Sequence, residues 1–69
     1  MENKIAKRVG RRVEIALFDM RKTKIWLANE VGVDRTSISR LCLGIRLPSI
    51  EVLIKVVDAI GIPFEQLLK

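Results

Sequence analysis

The chain has 69 residues, one cysteine, no histidine and a formal net charge of +5. Its length fits a single domain with a small core, and one cysteine excludes an internal disulfide. Without histidine the usual zinc sites and the commonest enzymatic general base are also absent.

The first predicted element is a helix from Glu2 to Met20. Its inward stripe follows the 3.6-residue period and consists of Ile5, Ala6, Val9, Val13, Ala16, Leu17 and Met20. Five cations lie on the other side, namely Lys4, Lys7, Arg8, Arg11 and Arg12. Gly10 weakens this helix by about 1 kcal/mol relative to alanine.

Two short helices follow, separated by a three-residue turn. Thr23 is a suitable N-cap for a helix over Lys24 to Val31, and Asp34 for a helix over Arg35 to Leu43. Gly32 fits the left-handed position that ends the earlier helix. Helix, tight turn, helix is the arrangement of a helix-turn-helix.

The residues of these two helices allow the helices to cross closely, with one side of the later helix facing solvent. Ala28 is small enough for the contact, and Val33 closes the turn against the core. Ile38 and Leu41, spaced i and i+3, hold the later helix by a narrow stripe. The residues then available to project outward are Arg35, Thr36, Ser37, Ser39 and Arg40.

The C-terminal third predicts two more helices. Ser49 caps a helix from Ile50 to Ile60, and a short helix runs from Pro63 to Leu68. The segment IEVLIKVV also alternates like a strand, but the serine cap, the Gly61 stop and the lack of a partner strand favour helix. The predicted fold is all-α, with five short helices.

Charge is distributed unevenly along the chain. Residues 1–46 hold 11 Lys/Arg against 5 Asp/Glu, whereas residues 47–69 hold 2 against 3. A basic part joined to a near-neutral part indicates one side facing a polyanion. A merely soluble surface with a few extra cations explains the same numbers, so charge alone leaves both interpretations open.

The sequence resembles the lambda-repressor-like (Cro and Xre type) helix-turn-helix DNA-binding domains over roughly residues 9 to 68. The matching residues are Thr23, Leu27, Ala28, Val31, Gly32, Val33, Ile38, Leu41 and Gly44, followed by RLPSIEVLIKVVDAIGIPFEQLL. The resemblance implies a compact five-helix domain over residues 1–69, with residues 1–8 as an N-terminal extension of helix one and the helix-turn-helix at about residues 24–43.

The resemblance also implies a function and its residues. It implies a transcription regulator, most often a dimeric repressor, which binds a pseudo-palindromic double-stranded DNA operator with helix three in the major groove. The implied base-reading residues are Arg35, Thr36, Ser37 and Arg40, and the implied phosphate-binding residues are Arg12, Thr23, Lys24 and Arg46. Ordinary solvated helix surface is the other interpretation of Arg35 and Arg40.

No cofactor, metal, small-molecule substrate or enzymatic activity is expected. No apolar run reaches membrane-spanning length, and the N-terminus lacks the apolar block of a signal peptide. We therefore expect a cytoplasmic protein. The resemblance implies that it is prokaryotic or phage-encoded.

The sequence departs from the family pattern in three places. Leu17 and Cys42 stand where many relatives carry a partly buried arginine and glutamate, which predicts that these two side chains touch and that Cys42 is a small buried hydrophobe. Lys24 stands where many relatives carry a glutamine. The N-terminal extension brings Lys4, Lys7 and Arg8, which either contact phosphates or form a solvated face.

Seven apolar residues fit no inward stripe, namely Ile15, Phe18, Ile25, Trp26, Leu43, Ile45 and Leu47. They form either a satellite cluster, in which Phe18 and Trp26 cover the join of helices one and two, or a patch for dimerisation or for a protein antirepressor. The C-terminal end, with Ile62, Phe64 and Leu68, is a second candidate for the dimer interface. The patch supports an alternative function, a protein-interaction module such as an antirepressor or antitoxin.

Overall fold

The computed structural model describes residues 4–68 and forms five α-helices. They are α1 (Lys4–Met20), α2 (Lys24–Val31), α3 (Arg35–Cys42), α4 (Ile50–Ile60) and α5 (Phe64–Leu67). The all-α prediction is confirmed. The third helix is one residue shorter than predicted and the fifth loses one residue at each end, while the predicted start at Glu2 lies outside the described residues.

The predicted caps form as expected. The side chains of Thr23, Asp34 and Ser49 each accept a hydrogen bond from the backbone N–H three residues further on, at 3.0, 3.0 and 3.3 Å. Gly32 has a φ of 85°, and its N–H donates to the Ala28 carbonyl at 2.8 Å. The turn of the helix-turn-helix is therefore fixed on one side by the left-handed Gly32 backbone and on the other by the Asp34 side-chain cap.

One core joins all five helices. Its fully buried members include Ile38 and Leu41, the two predicted anchors of α3, and Leu67 of α5. Ile5 and Met20, which the sequence placed on the inward stripe of helix one, are exposed instead, and so are Ile50 and Ile54 of α4, which also fit helical spacing with Leu53 and Ile60. Ile5 lies at the margin of its stripe and Met20 in the last turn of α1. The inward stripe of α4 is centred on Leu53, Val56 and Ile60, which leaves Ile50 and Ile54 at its edge.

The predicted satellite cluster does not include Phe18, which is 84% exposed. Phe18 lies at the edge of the groove between α1 and the start of α2 but projects into solvent, so it does not cover the join of the two helices. Trp26 does pack partly against the core. The Nζ atom of Lys22 lies 5.2 Å from the centre of the Trp26 ring, so a cation rather than Phe18 covers the indole.

Glycines bring the backbones of α1 and the end of α3 into direct contact. A Cβ atom on Gly10 would overlap the carbonyl oxygen of Leu41 and lie 2.7 Å from that of Cys42. A Cβ atom on Gly44 would lie 2.6 Å from the Cα atom of Lys7. Gly10 would weaken an isolated helix one, but the close approach of α3 requires a glycine at this position.

We predict that Gly10→Ala lowers the free energy of unfolding by about 1–3 kcal/mol, because the added methyl meets carbonyl groups that cannot move aside. This loss outweighs the gain of about 1 kcal/mol in helix propensity. Urea unfolding followed by circular dichroism measures it. Arg11→Ala, at the neighbouring exposed position, should change stability by less than about 0.5 kcal/mol; a more stable Gly10→Ala protein would contradict the contact.

Leu17 and Cys42 belong to the same buried cluster. Burial raises the pKa of the Cys42 thiol, Lys24 opposes this shift and Glu14 adds to it, so the thiol stays protonated at neutral pH. Cys42 thus behaves as the small hydrophobe that the sequence predicted. That the two side chains touch each other stays a prediction.

A double-mutant cycle tests that contact. Leu17→Arg or Cys42→Glu alone buries one uncompensated charge and should cost about 3–5 kcal/mol. If the side chains adjoin, the double variant should recover much of the loss, as measured by thermal unfolding. Additive losses in the double variant would show that the two positions do not pair.

Candidate nucleic-acid interface

α3 presents its polar side to solvent, as the sequence predicted. Ile38 and Leu41 are buried, while Arg35, Thr36 and Arg40 are exposed. Thr36 and Arg40 are one helical turn apart and so share the outward face. Arg35, as the first residue of α3, is exposed on the flank of that face.

Leu43 extends the outward face of α3 by one more turn. It follows Thr36 by seven residues and Arg40 by three, and it is 63% exposed. Leu43 was among the seven apolar residues that fitted no inward stripe, and its spacing from Thr36 and Arg40 is the sequence signal that places it on this face. An aliphatic side chain has the chemistry to contact a thymine methyl group.

Ser37 differs from the other three predicted base-reading residues, because its polar groups already serve the cap of α3. Its hydroxyl donates to the Asp34 carboxylate at 2.7 Å, and its backbone N–H donates to the same oxygen at 3.0 Å. Ser37 therefore holds the N-terminus of α3 in place, and only its lone pairs remain for a further partner.

The cap also perturbs Asp34. The hydrogen bonds from the Ser37 hydroxyl and backbone N–H hold the pKa of the Asp34 carboxyl below its ordinary value of 3.8. Because the folded-state pKa is lowered, the carboxylate stabilises the fold above that ordinary value. This contribution disappears as the pH falls through the lowered pKa.

We therefore predict that Asp34→Asn removes part of the acid sensitivity of the fold. The amide oxygen of asparagine still accepts the cap hydrogen bonds but does not titrate. Between about pH 5 and pH 2 the melting temperature should fall more steeply for the wild type than for the variant. Parallel melting curves over this range would show that the cap carboxylate contributes no pH-dependent stability.

A cleft lies between the C-terminal end of the outward face of α3 and the loop before α4. It has a volume of about 240 Å³ and is lined by Ser37, Arg40, Arg46, Leu47, Pro48 and Ser49. The loop is tied to α3 by a hydrogen bond of 3.0 Å from the Ile45 N–H to the Arg40 carbonyl. The structure thus brings together the predicted base reader Arg40 and the predicted phosphate-binding residue Arg46.

The other predicted phosphate-binding residues divide into two groups. Thr23 and Lys24 stand at the start of α2, where the Lys24 ammonium pairs with Glu14 of α1 at 3.2 Å. Arg12 lies in clefts with Asp19, Ile62 and Gln66, and with Arg8 and Arg11. By helical spacing Arg12 is on the side of α1 away from Glu14, so the structure does not bring it together with Lys24.

The sequence model of the helix-turn-helix family HTH_3 matches residues 22–67, which is about two thirds of the chain. No protein with curated function matches significantly. The chain belongs to the Cro/C1-type helix-turn-helix family, within the lambda-repressor-like class, and is a DNA-binding transcription regulator. The family is a DNA-binding family rather than an enzymatic one.

Two further chemical features bear on the site. Within residues 4–68, no three residues among His, Cys, Asp and Glu are grouped so that they could hold a metal ion. None of the helices in this range combines the length and hydropathy needed to cross a membrane.

Proposed function

We propose that the protein is a dimeric repressor that reads a pseudo-palindromic operator with α3 in the major groove. The observation that carries the proposal is the outward face of α3, which exposes Thr36, Arg40 and Leu43 while Ile38 and Leu41 are buried. An α-helix fits the major groove, whose edges distinguish all four base pairs.

Each exposed group has a chemical role in this proposal. The Arg40 guanidinium donates two hydrogen bonds to guanine O6 and N7, and Leu43 contacts a thymine methyl. Arg35 and Thr36 read neighbouring bases from the first turn of α3. Arg46 shares a cleft with Arg40 and binds the adjacent phosphate, which fixes the register of the helix in the groove.

The start of α2 supplies a second phosphate contact. The first backbone N–H groups of this helix and the Lys24 ammonium lie together, and both favour an anion. Lys24 already pairs with Glu14, so a phosphate there would share the ammonium with that carboxylate. This arrangement holds Lys24 in position before DNA arrives.

The near-neutral C-terminal part offers the surface for a two-fold dimer. Residues 47–69 carry 2 cations and 3 anions, so two copies do not repel there. Ile50, Ile54 and Leu68 are exposed in this part. Ile62 and Phe64, the other predicted dimer residues, pack partly against the core.

Selection from a pool of random duplexes at two salt concentrations tests the proposal. We expect a palindromic sequence to emerge, and we expect its affinity to fall steeply with salt because bound phosphates release counterions. Enrichment of a non-repeating site would contradict the two-fold dimer. Failure of any duplex to bind at low salt would contradict the function itself.

Arg40→Ala and Arg46→Ala should separate base reading from phosphate binding. Arg40→Ala should cost about 1–3 kcal/mol on the operator and relax specificity at one base pair of each half-site. Arg46→Ala should weaken binding to all sequences alike and reduce the salt slope by about 1. Lys55→Ala, on the outer side of α4, is the matched control. Equal losses for Arg40→Ala on every sequence would mean that Arg40 contacts only phosphate.

A protein-interaction module on the same fold, acting as an antirepressor or antitoxin, is the second candidate function. The observation that favours it is the exposure of Ile15 and Phe18 on α1. A salt-insensitive complex with a protein, with no duplex bound even at low salt, would favour this candidate over the repressor.

A further inference from the structure

The outward side of α1 carries a continuous strip of side chains that the DNA-binding face does not use. Lys4, Arg8, Arg11, Ile15 and Phe18 succeed one another at intervals of three or four residues, so they share one side of the helix. We call these five residues the α1 strip. Its N-terminal part is cationic and its C-terminal part is apolar. Residues 4–21, which contain the strip, lie outside the range that the family model matches.

The apolar end of the α1 strip borders a groove. Phe18 is 84% exposed and Ile15 is 47% exposed. Between them and the start of α2 lies a groove of about 510 Å³, whose far wall contains Lys22, Thr23 and Lys24. One exposed apolar side chain is ordinary, but Phe18 and Ile15 adjoin along the same groove and form a contiguous apolar patch, which is typical of a binding surface.

The cationic end borders a second cleft, which adjoins the first. Arg8, Arg11, Arg12 and Ile15 line about 390 Å³, and Ile15 also lines the groove beside Phe18. Within residues 4–68 the structure gives the Arg11 guanidinium neither a hydrogen bond nor an ion pair. The nearby carboxylate of Glu14 is already occupied by Lys24. The two clefts therefore form one path with excess positive charge.

The chemistry of this path selects among the possible occupants. A second copy seated through the same strip would offer no carboxylate to the arginines in either orientation, because the strip contains no acidic residue. A DNA backbone would use the arginines but would gain nothing from Phe18 and Ile15. An acidic protein segment that also carries aliphatic or aromatic side chains would satisfy both halves of the strip.

We propose that the α1 strip is the docking site for an acidic, amphipathic segment of a partner protein. The apolar side chains of that segment fill the groove between Phe18 and the start of α2, and its carboxylates pair with Arg11 and with Arg8. The Arg8 guanidinium donates one hydrogen bond to the Leu68 carbonyl at 3.2 Å and has further N–H groups for a carboxylate. Because the groove ends at Thr23 and Lys24, the docked segment competes with the DNA phosphate there. This last step rests on the proposed function.

Peptide selection on the intact chain, without DNA, tests the docking site. A random displayed-peptide library should yield sequences that combine Asp or Glu with Leu, Ile, Phe or Trp. Their synthetic forms should lose at least about tenfold in affinity with Ile15→Ser or Arg11→Glu, the scale expected for anchor residues. No enrichment, or enriched peptides without acidic residues, would overturn the proposal.

Matched variants keep the test specific. Ile5→Ser changes another exposed isoleucine on a different side of α1, and Lys55→Glu reverses a charge on α4. Both should leave peptide affinity unchanged. Melting curves confirm that each variant is folded. Equal losses in the control variants would overturn the assignment to the strip. So would Ile15-dependent binding of phosphatidylserine vesicles or of random duplex, which would identify a lipid or nucleic-acid surface instead.

A second measurement tests the competition. The selected peptide should displace the selected operator duplex, with half-displacement near the peptide's own dissociation constant when the duplex is kept below its own dissociation constant. A stable ternary complex would overturn the competition. Because peptide affinity is measured first without DNA, a failure of operator binding leaves the result on docking intact and counts only against the proposed function.

Discussion

The backbone contact between α1 and the end of α3 is the constraint on which the rest of the structure depends. At Gly10 the carbonyl groups of Leu41 and Cys42 come as close as a glycine allows, and at Gly44 the chain presses on Lys7. α3 is only eight residues long and is otherwise held by one narrow apolar stripe. Its orientation, and with it the direction in which Arg40 points, is therefore set by where α1 lies.

This arrangement gives α1 two functions on opposite sides. The inner side supports α3, and Glu14 holds the Lys24 ammonium at the start of α2. The outer side carries arginines and a phenylalanine that neither the core nor α3 requires. The groove on the outer side of α1 ends at Thr23 and Lys24. A partner bound in this groove would therefore lie next to the start of α2, which α1 also supports from the inner side.

Much of the fold was predictable because its determinants are local. The caps Thr23, Asp34 and Ser49 and the turn residue Gly32 act within a few residues of themselves, and all four were identified from sequence. The exposed position of Arg40 followed from the spacing of Ile38 and Leu41, which needs only the helical period.

The features that sequence reasoning missed depend on which helices meet. The need for Gly10 arises only from the approach of α3, and the pairing of Lys24 with Glu14 joins two helices. The period of α1 placed Phe18 off the inward stripe, but only the positions of the neighbouring helices showed that nothing covers it. The exposure of Leu43 beside Arg40 was likewise not predicted, because its apolar side chain gave no reason to place it on the outward face.

The position of Trp26 has a practical consequence. It is the only tryptophan, and the chain has no tyrosine. Its backbone N–H donates to the Thr23 hydroxyl, and the Lys22 ammonium lies over its indole ring. Both neighbours line the groove beside Phe18. The protein thus contains a single intrinsic fluorophore next to the groove at the end of the α1 strip, and its emission should change when that groove is filled, without any attached dye.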